Sequence, residues 1–350
     1  MKSSAAISLF AFVASALSIN VAKRDSPLDV KLEMVGNTAV KASITNTGAT
    51  DLKIFKTGTL LDNSPTEKID IYQDGNQVPF EGIRLRVLTT GLDEDAFQTI
   101  AAGETVDATF DVGQAYDLSA GGTYELVSVG TVSYAEVNST ELAGAVAVNG
   151  GVVTAQVDGP AASAVRRRFH AKRIAVQSDC TGTRRTATTT AISNCRSLAA
   201  AAQTAASSGA AAKLTEYFKS STTATRSTVA GVFQRVASEC GTTTAGVSDL
   251  YCSDVYSACS SGVLAYTLPS ASFMVNCNLY YTALSALTRT CHGQDQATTT
   301  LHEATHLTQI KGTSDYSTYG YNGVRGLTAA QNLNHADTYT LFANAIYVGC

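Results

Sequence analysis

Between about residues 20 and 160, apolar and polar positions alternate in short runs at 30–34, 39–45, 53–55, 69–72, 83–88, 105–110, 124–129 and 152–157. Successive side chains of a strand face opposite sides, so each run predicts a strand with one covered face. Turn-forming pairs, among them Gly36-Asn37, Asp74-Gly75 and Gly121-Gly122, separate them. Short strands closed by such turns predict an all-β, antiparallel, sandwich-like unit.

After about residue 174 the period lengthens. Residues 195–208 are alanine-rich, 210–219 and 225–240 are amphipathic, and all three predict helices. Residues 250–256, 262–268 and 272–279 carry Tyr, Val, Phe and Leu at strand spacing. Residues 279–287, 298–309 and 327–348 return to helical spacing. The expectation is an α+β unit, mainly helical, with a small sheet lining one wall of a cleft.

The first residues and the junction add an itinerary. Lys2 precedes an apolar run from Ala5 to Leu17, with Ala14 and Ala16 near its end, which predicts a secretory signal over 1–18. That run is too short to span a bilayer, so a secreted, extracellular protein without a membrane partner is expected. Arg166-Arg167-Arg168 and Lys172-Arg173 form a basic cluster between the two textures. In a secreted chain this predicts processing after Lys172 and Arg173 in an exposed linker. The organisation expected is thus 1–18 signal, 19–173 propeptide and 174–350 mature domain. Asn138-Ser139-Thr140 is a glycosylation acceptor motif.

Composition narrows the function. Residues 1–173 carry 15 basic and 20 acidic side chains, and residues 174–350 carry 10 and 9, within a net charge of −4. No basic face interleaved with aromatics appears, so nucleic acid is not expected as a partner. All eight cysteines, from Cys180 to Cys350, lie in the second half and none forms a C-x-x-C pair. An even number so confined in an exported chain predicts disulfides rather than a thiolate metal site, with the pairing left open.

Two of the five histidines stand in His302-Glu303-Ala304-Thr305-His306. Four residues apart on a helix, both imidazoles leave one face, the bite a tetrahedral zinc ion takes. Glu303 is then placed to act as general base. Thr298, Thr299 and Thr300 offer helix caps, and Leu301, Ala304 and Leu307 a core face. A catalytic zinc needs a third ligand. Gly312 occupies the position where a third histidine would fall in the metzincin pattern, and no glutamate follows Glu303. Asp315, His335 and Asp337 remain; Asp315 is preferred, because Gly312-Thr313 lets the chain fold back under the metal.

The order H-E-x-x-H, then Gly312-Thr313-Ser314-Asp315, then Tyr319-Gly320-Tyr321 resembles the deuterolysin family of fungal zinc endopeptidases, the aspzincins. The chain departs by one residue, with Tyr316, Ser317 and Thr318 between the aspartate and the tyrosine where the family has two. The resemblance implies a zincin-like catalytic domain binding one Zn²⁺ per subunit through His302, His306 and Asp315. It also implies Glu303 as base, Tyr319 as oxyanion donor and Asp337 near the metal, as a partner of a zinc histidine or a pocket charge. Lysine-preferring relatives place a second acid where this chain has Thr340, which implies broader specificity leaning toward basic proteins. Six cysteine spacings resemble the family's bridges Cys180–Cys252, Cys259–Cys277 and Cys291–Cys350, leaving Cys195 with Cys240. His335 and His292 read as structural. A monomeric endopeptidase acting on proteins or peptides is expected, kept latent by its own propeptide through steric cover or through His170 on the metal. The competing expectation is a secreted zinc-binding effector or structural module without proteolysis.

Overall fold

Leu28, Val30 and Leu32 are buried while their neighbours are not, so alternation in the sequence becomes a one-faced strand, β1 (Leu28–Met34). β2 (Ala39–Asn46) alternates in the same way, and the chain continues through β3 (Leu52–Phe55), β4 (Asp70–Gln73), β5 (Asn76–Gln77), β6 (Arg84–Val87), β7 (Phe97–Ile100) and β8 (Thr105–Asp111). A long hairpin follows, β9 (Gly122–Ala135) and β10 (Leu142–Val157), with the exposed Asn138 in its turn. The computed structural model describes residues 26–170 and 177–350; the expected signal segment and Lys172-Arg173 lie outside the described residues.

Nine of these strands join one hydrogen-bonded sheet, β5-β4-β9-β10-β1-β2-β8, with β3 bridging β9 to β7. Two purely antiparallel layers were expected. Instead β1 runs parallel to β10, and the β9–β10 hairpin is far longer than its apolar runs suggest. Glycine conceals the length. A Cβ on Gly150 would lie 2.0 Å from the Ser128 carbonyl oxygen, so the close approach of the two backbones excludes a side chain there.

The tenth strand leaves this sheet. β6 pairs antiparallel with β12 (Val263–Leu268), in a second sheet that also holds β11 (Asp249–Tyr251) and β13 (Phe273–Asn276), ordered β11-β13-β12-β6. Run 83–88 is therefore a strand, as expected, but it belongs to the other half's sheet. Bordered on both edges, β12 is buried at all six positions.

Helix α1 (Gly159–His170) closes the first half and contains Arg166 to Arg168, where a linker was expected. The second half opens with α2 (Gly182–Ser208), α3 (Ala211–Phe218) and α4 (Thr223–Glu239). After β13 come α5 (Asn278–Thr282), α6 (Gln296–His306), α7 (Gly320–Gly326), α8 (Ala329–Asn332) and α9 (Ala336–Val348). Leu198, Phe233, Leu301 and Phe342 from α2, α4, α6 and α9 meet in its core, where Phe218, Phe233, Tyr339 and Phe342 pack mostly edge-on. The single helix expected over 327–348 is broken. A capping box between Thr328 and Gln331 holds the short α8, and His335 takes an extended conformation before α9.

Disulfides Cys180–Cys252, Cys195–Cys240, Cys259–Cys277 and Cys291–Cys350 staple this half. Each stabilises by about 2–4 kcal/mol, chiefly by restricting the unfolded chain. A third core joins the halves: Phe55, Leu85, Val87 and Phe97 pack with Tyr256, Val263, Tyr266, Phe273 and Tyr319. Among the described residues no helix is long and apolar enough to cross a membrane.

Candidate metal centre

Helix α6 begins one turn earlier than the threonines suggested. The Asp295 carboxylate accepts the Thr298 N–H at 2.6 Å, and the Thr298 hydroxyl accepts the Asp295 N–H at 3.1 Å, a reciprocal cap. Ala297, Leu301 and Ala304 enter the core, and every residue of the helix is buried. The helix stops at His306 because Leu307 turns to an extended ψ of 131°. The N–H groups of Ile310, Lys311 and Gly312 all point at the Leu307 carbonyl, and Gly312, at φ 67°, reverses the chain. Thr313 then donates back to the Thr305 carbonyl at 3.1 Å, which carries Asp315 beside the two imidazoles.

His302 Nε2 lies 3.2 Å and His306 Nε2 3.4 Å from Asp315 Oδ1. Their ligand atoms all fall within 4.8 Å of one another. Both Nε2 atoms, Asp315 Oδ1 and Glu303 Oε1 are buried without a protein hydrogen-bond partner. Four orphaned polar atoms in one interior are costly, and two imidazoles with a carboxylate are a donor set suited to zinc. The residues fit such an ion.

The other ring nitrogens set the tautomers. His302 Nδ1 faces Asp337 Oδ1 at 3.2 Å, and His306 Nδ1 faces the Thr313 carbonyl at 2.9 Å. Acceptors at Nδ1 hold the proton there and leave each Nε2 lone pair directed at the centre. Burial pushes the His302 imidazole down to about 3, with Arg86 adding to the effect, so it stays neutral. Asp337 Oδ2 accepts the Gly320 N–H at 2.7 Å, fixing the carboxylate that faces His302.

Glu303 follows the first histidine and keeps one oxygen open. Its Oε2 accepts the Thr267 hydroxyl at 2.6 Å from β12. Burial raises its carboxyl well above the usual range, opposed by the Thr267 bond. Tyr319 is buried edge-on to Phe55, with ring centroids 6.4 Å apart, and a Cβ on Gly58 would lie 2.8 Å from its hydroxyl. The extra residue before it is accommodated by a tight reversal, with Tyr316 and Ser317 both at positive φ, 51° and 48°. Tyr319 and Asp315 border a residual space of about 10 Å³.

His335 does not join the cluster. Its Nε2 donates to the Asp315 and Thr318 carbonyls at 2.9 Å, tying the reversal to α9. His292 stacks on Tyr321 and bonds the Tyr217 hydroxyl at 2.6 Å; the neighbouring Cys291 and Cys350 are spent on a disulfide and offer no thiolate.

Sequence reasoning missed three residues here. Thr267 has no motif to mark it. Gln294, just before the α6 cap, contacts the backbone of residues 87 and 89. Arg86, from the first half, reaches into the interior: it pairs with Asp337 and comes within 3.2 Å of His302 Nδ1. Burial pushes its guanidinium down to about 10, offset by Glu303, Asp315 and Asp295. Arginines alternating with apolar residues at 84–87 were the available signal, since a buried strand face seldom carries two cations without acids opposite.

Known proteins resemble this chain along its whole length. A model of the Deuterolysin metalloprotease (M35) family matches residues 1–350. A neutral protease 2 homolog of Colletotrichum graminicola is 58% identical over 351 residues, covering 100% of both chains. One of Phaeosphaeria nodorum is 56% identical over 349 residues, covering 98% of each. A solved zinc peptidase of Grifola frondosa aligns with 47% of this chain and 97% of its own, at 23% identity and a TM-score of 0.40. With a full-length family match and full-length relatives at 56–58% identity, the chain belongs to the deuterolysin family of metalloproteases.

Proposed function

We propose that this chain is a secreted zinc endopeptidase made as a zymogen. Residues 1–18 are its signal, 19–173 a propeptide removed after Lys172-Arg173, and 174–350 the catalytic domain. The observation that carries the reading is the convergence of His302 Nε2, His306 Nε2 and Asp315 Oδ1, all buried and unpaired, beside the open Glu303 Oε1. These three side chains would hold one Zn²⁺. Bound there, zinc supplies Lewis acidity toward a peptide carbonyl and toward a water molecule.

The protein's own groups do the rest. Glu303 Oε1 takes a proton from the attacking water and later passes it to the leaving amine. A carboxyl raised by burial retains that proton between the two events. Thr267 holds Oε2, so Oε1 is the working oxygen. Asp337 and the Thr313 carbonyl keep the imidazoles in register. Tyr319 donates its hydroxyl to the oxyanion. Arg86 beside Asp337 supports a lean toward basic side chains in substrates.

A secreted zinc-binding module without proteolysis is the weaker reading, because a metal-only site has no use for Glu303. Purified processed protein should cleave casein, stop with a chelator and recover with zinc. Elemental analysis should find one zinc per monomer, and a folded, processed protein that takes up none would refute the reading.

A further inference from the structure

Strand β6 is seated in the second half as an extended peptide would be. It lies antiparallel to β12, with Leu85 opposite Tyr266 and Arg84 opposite Thr267, and the Leu88 N–H donates to the Gly262 carbonyl at 2.8 Å. Beyond its end a side chain continues the pattern. Gln294 Nε2 donates to the Val87 carbonyl at 2.7 Å, and its Oε1 accepts the Thr89 N–H at 2.9 Å. A carboxamide that bridges a carbonyl and the N–H two residues on imitates a rung of a β-ladder. These contacts are to backbone and admit any extended peptide; the one side chain Gln294 also meets is Thr89, whose hydroxyl donates to its Oε1 at 3.1 Å.

Side chains then fix the occupant. The period of two puts Leu85 and Val87 into the shared apolar core and turns Arg84 and Arg86 to the metal side. Arg86 pairs with Asp337; Arg84 pairs with Glu67 and donates to the Ser314 hydroxyl at 3.0 Å. The Leu85 N–H reaches Asp315 Oδ2 at 3.3 Å. Next to that carboxylate little free space remains.

We propose that the edge of β12 and Gln294 form a backbone-reading peptide groove whose resident ligand is residues 84–89. We propose further that cutting the linker after Arg173 leaves this strand in place. The proposal rests on the protease reading given above. None of the contacts just named involves the linker. The covalent connection adds effective concentration only, while Phe55, Leu85, Val87, Phe97 and the Arg86–Asp337 ion pair grip by themselves. Release of the first half, not the cut, is then the activating step.

The full chain with a specific protease site in place of residues 171–176 tests this. After the cut, both pieces should elute as one species. Amides of residues 263–268 should exchange with deuterium as slowly as in the uncut chain, and hydrolysis of a fluorogenic peptide with zinc should not rise. Arg86→Ala leaves Asp337 buried without its cation and should weaken the seated strand by about 30-fold or more, and Leu88→Pro removes a ladder donor. In either cut variant amide exchange should speed up and hydrolysis should rise. Gln294→Leu loses two backbone contacts and should raise KM for an extended peptide by about 10-fold while kcat holds.

Rapid exchange at β12 on cutting the wild type overturns the proposal, whether or not the variants fold. So does wild-type protection in both variants, or full hydrolysis with the strand still seated. If protection follows the expectation while no form hydrolyses peptide, the seated strand stands and the protease reading falls.

Discussion

Before His170 the chain has neither cysteine nor histidine, whereas residues 177–350 hold all eight cysteines and the other four histidines. The first half stands on a nine-stranded sheet and an aliphatic core built around Leu28, Val40, Ile71 and Leu126. The second adds four covalent staples to a helical core and gathers its acids around His302 and His306. The half that carries the chemistry is thus secured without its neighbour, while the neighbour supplies cations and an apolar strand to that half's unfinished edge. Such a division suits a partnership that ends.

The sharpest way to break the contrast is at Glu303. Glu303→Gln should retain zinc by elemental analysis yet lose about 10³-fold in kcat, within the span general acid–base catalysis commands; normal turnover would strip Glu303 of its role. Next, Asp315→Asn should release the metal, while Asp337→Asn should keep it about 10–100-fold more weakly, as loss of a histidine-orienting carboxylate does. Equilibrium dialysis separates the two, and the reverse order would assign the third ligand to Asp337.

Two stability variants then compare the halves. Replacing Cys195 and Cys240 together by alanine should cost about 2–4 kcal/mol in the second half's denaturant unfolding. Ile71→Ala should cost about 2–4 kcal/mol in the first half without altering zinc affinity. Zinc affinity that follows Ile71 would mean the halves are less separable than drawn.

The smallest effect is acid. Burial raises Glu67, but the charge and bonds of Arg84 and the Ser314 hydroxyl hold it below its usual 4.5. A carboxylate depressed by folding stabilises above its unfolded value, and that contribution disappears as pH falls through the folded one. Asp70, raised to about 6 chiefly by burial and then by Glu67, protonates earlier and relieves its repulsion with Glu67; Asp315 also faces this carboxylate. The bond from the Ser314 hydroxyl to Glu67, which crosses between the halves, should therefore hold through the ordinary glutamate range and weaken as pH falls below it. Amide exchange at β12 in the cut chain would show it, and loosening already at pH 6 would exclude Glu67 as the cause.

Much of the centre was legible because its logic is local. Histidines four apart declare a shared helix face, and Gly312-Thr313 declares a reversal that brings Asp315 back. The helix start was misread, since Asp295 lies outside the apolar period that marks α6. Run 83–88 declared itself a strand, but alternation reports a covered face and never names the neighbour across the ladder. Arg86 and Gln294 act across more than two hundred positions and Thr267 across 36, where spacing along the chain carries no message. The β9–β10 hairpin was hidden because Gly150, needed for close approach to Ser128, interrupts the apolar rhythm.

Gly58 has a consequence of its own. It belongs to the first half, adopts φ 74°, and leaves no room for a methyl group under the Tyr319 hydroxyl. If that half is shed, a bulkier residue at 58 is absent from the finished molecule. Its harm would fall on how many molecules are made, not on how fast each one works, and an assay normalised to active sites would miss it entirely.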